Sequence, residues 1–273
     1  IGFNIIYNTT GIINFAQGEF VMLGAMTATS LVGVGWPLPL AIAGAVVITV
    51  MIGALVEIGL IRWVEKPSVL RLIIITIGTS ILLREAALHF WDERPRALPY
   101  FTGDEVSSIS VFGARMSPQV LWVLGTTILI VGALTAFFRY SSLGREMRAC
   151  AANHTAAQLC GINVRNLVTF SFMLSAGIGA LAGAVVCPIT YTSYDAGTSL
   201  AIKGFTVAVF GGLGNSMAAV VAGLTLGVIE AFSVHYLPNA YKDAIAIAIL
   251  LLVLSVRPSG LFGNREAGKL KEF

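Results

Sequence analysis

Two amides and a carboxylate, Asn14, Gln17 and Glu19, lie within the stretch GIINFAQGEF at residues 11–20, between two apolar runs. Such groups can satisfy the end of a helix broken at membrane depth, or they can face a polar cargo. Thr76, Thr79 and Ser80 in ITIGTS follow i, i+3, i+4 spacing, which sets three hydroxyls on one helical face. That face is either a seam of small polar residues between helices or the wall of a lumen. Gly211, Gly212 and Gly214 in GGLGN read as a tight turn. A fourth group, Arg145 and Arg148 among Gly144, Ala149 and Ala152, suits docking. Its arginines supply polar rim contacts, and its small residues let another surface approach closely.

No catalytic constellation accompanies these groups. His89, His154 and His235 are far apart and lack metal-ligand spacing. Cys150, Cys160 and Cys187 form no CxxC pair and read as small buried hydrophobes. GxSxG and HExxH are absent from the sequence. GNREAGKL at residues 263–270 approaches a phosphate-binding loop, but Leu270 stands where Ser or Thr is required and no strand precedes it. The expectation is a chain that binds no cofactor or metal and does not hydrolyse ATP alone.

The elements that position these residues follow from composition. The chain of 273 residues is 56% hydrophobic and 11% charged, against about 25% charged in a soluble domain. It reads as an all-α, polytopic membrane protein with about eight membrane helices and broken or re-entrant segments, forming a single domain over residues 1–273. The small basic excess, 17 against 14 acidic residues, does not suggest nucleic acid. Apolar runs fall at 1–13, 19–35, 38–61, 69–91, 118–138, 167–187, 199–210, 216–237 and 243–256. The first is short for a span of about 20 residues, so the expectation is that upstream residues of this helix are missing.

Orientation follows the positive residues of short loops. Arg62, Lys66 and Arg71, then Arg139, Arg145, Arg148 and Arg165, then Arg257, Arg265, Lys269 and Lys271, hold eleven of the 17 basic residues. These three segments are read as cytoplasmic, with 139–167 the coupling segment. Segment 92–117 is then external, and its SSISVFG pattern suggests a small hairpin. The sixth span exits near Pro188 and the tail is inside, so 199–237 must leave and return to one side. A re-entrant half-helix turning at GGLGN fits that parity. Within 139–167, GREMRACAA is helix-forming, and Asn153 can N-cap a second short helix that Gly161 ends. This pair is either a solvated connector or a docking knob for a cytoplasmic partner.

The remaining polar residues of the spans read as structural groups near the interface before substrate contacts. Glu57, two turns from the end of its span, is placed to snorkel, Glu230 and His235 approach the external end of their helix, and Lys203 sits in the re-entrant piece. Arg84 and Glu85 are adjacent, so on a helix they point about 100° apart and do not form a face-to-face pair.

GIINFAQGEFVMLGAM, GREMRACAANHTAAQLCGINV, SFMLSAGIGALAGAV, KGFTVAVFGGLGN and RPSGLFG together resemble the membrane permease subunits of ABC importers for branched-chain amino acids. The resemblance runs in order over essentially the whole chain. It implies the ABC importer permease fold and a passive membrane half: a second related permease, two cytoplasmic ATPase subunits that carry ATP and Mg, and an external substrate-binding protein, all beside membrane lipid. It implies that 144–161 holds the coupling helices that seat in the ATPase. Urea and other small-metabolite importers use similar permeases. A rival of another class is a secondary transporter or channel that works without ATP, and a further rival is a membrane scaffold. Position 17 holds Gln where many members carry His, which argues against proton titration there.

GIINFAQGEF then has two compatible readings. Asn14 can N-cap a helix starting at Phe15 with Gln17 at N3, Glu19 near the positive helix end, and Gly11 and Gly18 permitting a break and close packing. The same break can place half-helix ends on the transport path.

Overall fold

A computed structural model of the chain describes residues 1–64, 68–111, 114–236, 238, 241–257 and 260. Lys66, Phe112 and Gly113, the side chain of His235 and residues 261–273, including the GNREAGKL segment, lie outside what is described. The helices are α1 (Gly2–Thr10), α2 (Gln17–Gly33), α3 (Leu38–Val56), α4 (Val69–Trp91), α5 (Pro118–Tyr140), α6 (Ser142–Ala152), α7 (His154–Leu159), α8 (Val164–Thr190), α9 (Ala196–Gly211), α10 (Ser216–Tyr236) and α11 (Lys242–Val256). Among the described residues one antiparallel strand pair forms, β1 (Ile109–Val111) with β2 (Ala114–Met116), pairing Ile109 with Met116 and Val111 with Ala114. Among the described residues, four helices are long and apolar enough to cross a membrane: Leu38–Ile61, Pro118–Tyr140, Val164–Thr190 and Ser216–Ser233. Their outward side chains, such as Leu55, Ile128 and Phe232, are exposed, as a surface that meets lipid requires.

The 27-residue α8 is the central element, with α1, α2 and α3 packed against it. Ser171, Ser175, Gly179 and Gly183 recur every fourth residue along it, with Ala176, Ala180 and Ala184 beside them, all buried. Apolar burial gives little drive between helices in lipid, so close backbone approach and hydrogen bonds must hold them together. A Cβ at Gly24 of α2 would overlap the backbone of Ala180, and one at Gly183 would overlap the carbonyl of Val21. At the far side α9 packs against α2, α10 and α11. The 92–117 segment is fastened down: Arg96 and Thr192 exchange backbone hydrogen bonds at 2.8 Å, and Phe101 N–H donates at 3.1 Å to the buried Gln119, which donates to the Val185 carbonyl at 2.9 Å.

The structure changes three expectations. Glu57 does not snorkel. It is 2% exposed, and its Oε2 accepts from Thr169 at 2.6 Å and from Arg62 at 3.2 Å, where α3 continues as a π turn over Glu57–Ile61. The extra residue in that turn brings Arg62 round to its partner. Arg84 and Glu85 do meet: Arg84 Nε lies 3.7 Å from Glu85 Oε1, because long side chains bend across the angle between neighbouring positions. The piece expected at 199–210 runs from Ala196 to Gly211, and 16 residues of helix span about 24 Å. Its glycine turn lies against Asn4, Asn8 and Gly260, so α9 reaches the level where α11 has ended. The Ser193–Asp195 turn opens the helix earlier than its polar composition suggested.

Arg62→Leu is expected to destabilise the fold by about 3–5 kcal/mol, since it strands the Glu57 carboxylate in the interior. Thermal unfolding of the detergent-solubilised protein measures this, and Arg62→Lys should recover part of the loss.

Candidate functional site

The break between α1 and α2 starts at Gly11, whose φ of 71° needs no Cβ and whose N–H closes α1 on the Tyr7 carbonyl at 2.8 Å. Asn14 is fully buried, but it does not N-cap a helix from Phe15. Its Oδ1 accepts from the Ala16 N–H at 3.1 Å in a turn, and α2 begins at Gln17. Gln17 is therefore the first helical residue and not N3. Its side chain turns to α8, donating to the Ser175 carbonyl at 3.2 Å and accepting from the Ser175 hydroxyl. A complete amide partner on α8 outcompetes the local box. Gly18 lies against the Gly197 carbonyl, so α2 and α9 touch backbone to backbone.

Glu19 is also buried. Its Oε1 accepts from Ser80 at 2.8 Å, while Oε2 has no hydrogen-bond partner among the described residues and lies against Gly197 in the first turn of α9. Thr76 and Thr79 are buried too, and their hydroxyls return to their own helix, to Ile73 and Ile75 carbonyls at 2.9 and 2.8 Å. Of the three hydroxyls on α4, Ser80 alone reaches across to a charged group.

A cleft of about 480 Å³ opens between α1, α2, α5, α8, α9 and α10. Gln17 and Gly18 line it, whereas Gly11, Asn14, Glu19, Thr76, Thr79, Ser80, Gly211, Gly212 and Gly214 do not. Apart from Gln17, its wall is mostly apolar or glycine, crossed by one ion pair, Lys203 with Glu230 at 3.3 Å. Among the described residues no cluster of His, Cys, Asp or Glu is arranged to hold a metal.

The α6–α7 pair forms a knob at the other end of the molecule from the hairpin. Gly144, Met147 and Cys150 make its inner face, packed with Ile5 of α1, Leu134 of α5 and Leu167 of α8. Burial pushes the Cys150 thiol up, so it stays protonated and donates to the Thr9 carbonyl at 3.7 Å. Arg145, Arg148, Ala149 and Ala152 form the exposed outer face. Asn153 caps α7 by accepting from the Ala156 N–H at 2.9 Å, and Gly161 follows the helix end. A second cavity, about 670 Å³, is shared by Arg148, Asn8 and Gly214, so the knob and the glycine turn meet at α1.

Asn4 and Asn8 were not singled out in the sequence. They sit one turn apart on α1 and grip one residue of the glycine turn. Asn8 donates to the Gly214 carbonyl at 3.0 Å, and Asn4 accepts from the Gly214 N–H at 3.3 Å. Two amides at i, i+4 in the apolar run GFNIIYN were the available signal.

The family described as "Branched-chain amino acid transport system / permease component" matches residues 1–254. The chain belongs to this permease family. The permease is 36% identical over 288 residues to the high-affinity branched-chain amino acid transport system permease protein LivH of Escherichia coli (strain K12), covering 99% of this chain and 92% of that protein. It is 34% identical over 283 residues to the permease protein BraD of the same kind of system in Pseudomonas aeruginosa, with the same coverage. A more distant relative, at 26% over 249 residues, is the ribose import permease protein RbsC of Haemophilus influenzae, covering 88% of this chain and 75% of that one. No solved structure matches the permease. Membership makes it a multi-pass membrane component of a transport system, consistent with its four long apolar helices.

Proposed function

We propose that the chain is one membrane half of an ATP-driven importer in the bacterial inner membrane, moving branched-chain or other hydrophobic amino acids by alternating access. The observation that carries this is the α6–α7 knob, fixed to α1, α5 and α8 by a buried inner face while its arginine and alanine face stays open. A device of that form passes force between a docked partner and the membrane helices, and a channel or secondary transporter has no use for it. The relatives' named systems support the amino-acid cargo.

In this reading the knob is cytoplasmic and seats in one of two ATPase subunits, which bind ATP and Mg; the permease has no ATPase site of its own. The 92–117 segment faces outward toward a substrate-binding protein, and a second related permease completes the path. ATP-driven closure of the ATPases moves α6, and α6 moves α1 through Cys150 and Met147. α1 then carries the break at Gly11–Ala16 and, through Asn4 and Asn8, the glycine turn.

Reconstitution tests this. Leucine uptake into proteoliposomes is expected only when both permeases, the ATPases, the binding protein and ATP are present. Uptake by the permease without ATPase subunits would overturn the proposal.

A further inference from the structure

We propose that the pocket between α4, α9 and α11 receives the zwitterionic head group of the cargo amino acid, an assignment that rests on the amino-acid reading above. The pocket, about 370 Å³, is separate from the larger cleft and differs from it in chemistry. Arg84 of α4 forms one wall. Asp195, Thr198 and Ser199 at the start of α9 form another, and the exposed Ile202 and Ile247 supply an apolar rim. Lys203 lines both cavities and is held by Glu230 on the cleft side.

Ionisable side chains within or beside membrane helices are functional-site hypotheses by default. Here opposite signs stand on different helices around open space. Behind Gly197, one residue from the pocket wall, the buried Glu19 keeps one oxygen on Ser80 and leaves Oε2 without a partner.

A carboxylate suits Arg84, whose planar fork can donate two hydrogen bonds. An ammonium suits Asp195, and the Glu19 carboxyl behind Gly197 adds to the same side of the pocket. An aliphatic side chain suits Ile202 and Ile247. A zwitterion meets both signs and adds no net charge to the pocket. A sugar or a fatty acid would leave at least one sign unanswered.

The test uses the complete transporter with Ser199→Cys in the permease and Cys160→Ser to remove the exposed native thiol, since Cys150 and Cys187 are buried. Maleimide labelling of the peptide containing position 199 is followed by mass. Millimolar leucine is expected to slow labelling at least fivefold. 4-Methylpentanoate, which lacks the ammonium, and 3-methylbutylamine, which lacks the carboxylate, are expected to leave the rate unchanged. Glu19→Gln, nearly isosteric, should cut leucine uptake at least tenfold while ATP hydrolysis stimulated by the binding protein persists. Equal protection by all three compounds, protection by none, or full uptake in Glu19→Gln overturns the assignment. Failure of the unsubstituted transporter to import leucine would instead sink the amino-acid reading.

Discussion

Gly24→Val is expected to leave little or no folded permease in the membrane. A side chain at Gly24 would overlap the backbone of Ala180, and neither helix can retreat, because α8 is also held by Gly53 of α3 and by Gln17 at Ser175. Overpacking by one or two methyl groups in a well-packed interior costs about 1–3 kcal/mol. A collision with main chain has no flexible neighbour to absorb it, so the upper end of that range or beyond is expected. Gly78 of α4 is the control: a Cβ there meets nothing within 4 Å. Gly78→Ala should be neutral or slightly stabilising, as glycine in a helix interior costs about 0.5–1 kcal/mol relative to alanine. Yield of monodisperse protein and thermal unfolding in detergent distinguish the two. A Gly24→Val protein that melts with the parent would show that α2 and α8 do not pack as described.

Reversing Arg145 and Arg148 to glutamate gives the second large effect, on transport instead of folding. Both side chains are exposed, and the seat of α6 is made by Gly144, Met147 and Cys150. Exposed substitutions usually shift stability by no more than about 0.5 kcal/mol, so expression and melting should hold. If the outer face docks an ATPase subunit, reversal places like or unpaired charge at a rim where complementarity sets partner choice. Uptake is expected to fall at least tenfold, with the ATPase subunits lost on purification. Unchanged uptake at normal expression would remove the coupling role of this face.

Much of this architecture was legible in the residues themselves. Pro118 follows Ser117, whose side chain accepts from the Gln119 N–H, so the start of α5 is written locally. The same holds for α7, a six-residue helix that lies between Asn153 and Gly161. Hydrophobic runs ending at Trp91 and Val256 stop where the helices stop. The polar groups were legible as anomalies but not as pairs. Gln17 looked like a capping residue because sequence displays only neighbours, whereas its partner Ser175 lies 158 positions away. Glu57 looked free to reach water for the same reason; Thr169 is 112 positions away. α9 was read short because SYDAGTS has the composition of a turn, and the close approach of Gly18 to Gly197 is a tertiary fact.

The grip of Asn4 and Asn8 on Gly214 has a consequence for biogenesis. These bonds join residues 210 and 206 positions apart. At roughly 5–20 residues per second, a ribosome needs about ten to forty seconds to supply the partner. Through that interval two carboxamides of α1 must wait in the translocon or the bilayer without the groups that satisfy them. α1 is therefore among the last of the described helices to settle, although it is made before the others. Substitutions at Gly214 should lengthen the life of that waiting species and its exposure to membrane quality-control proteases.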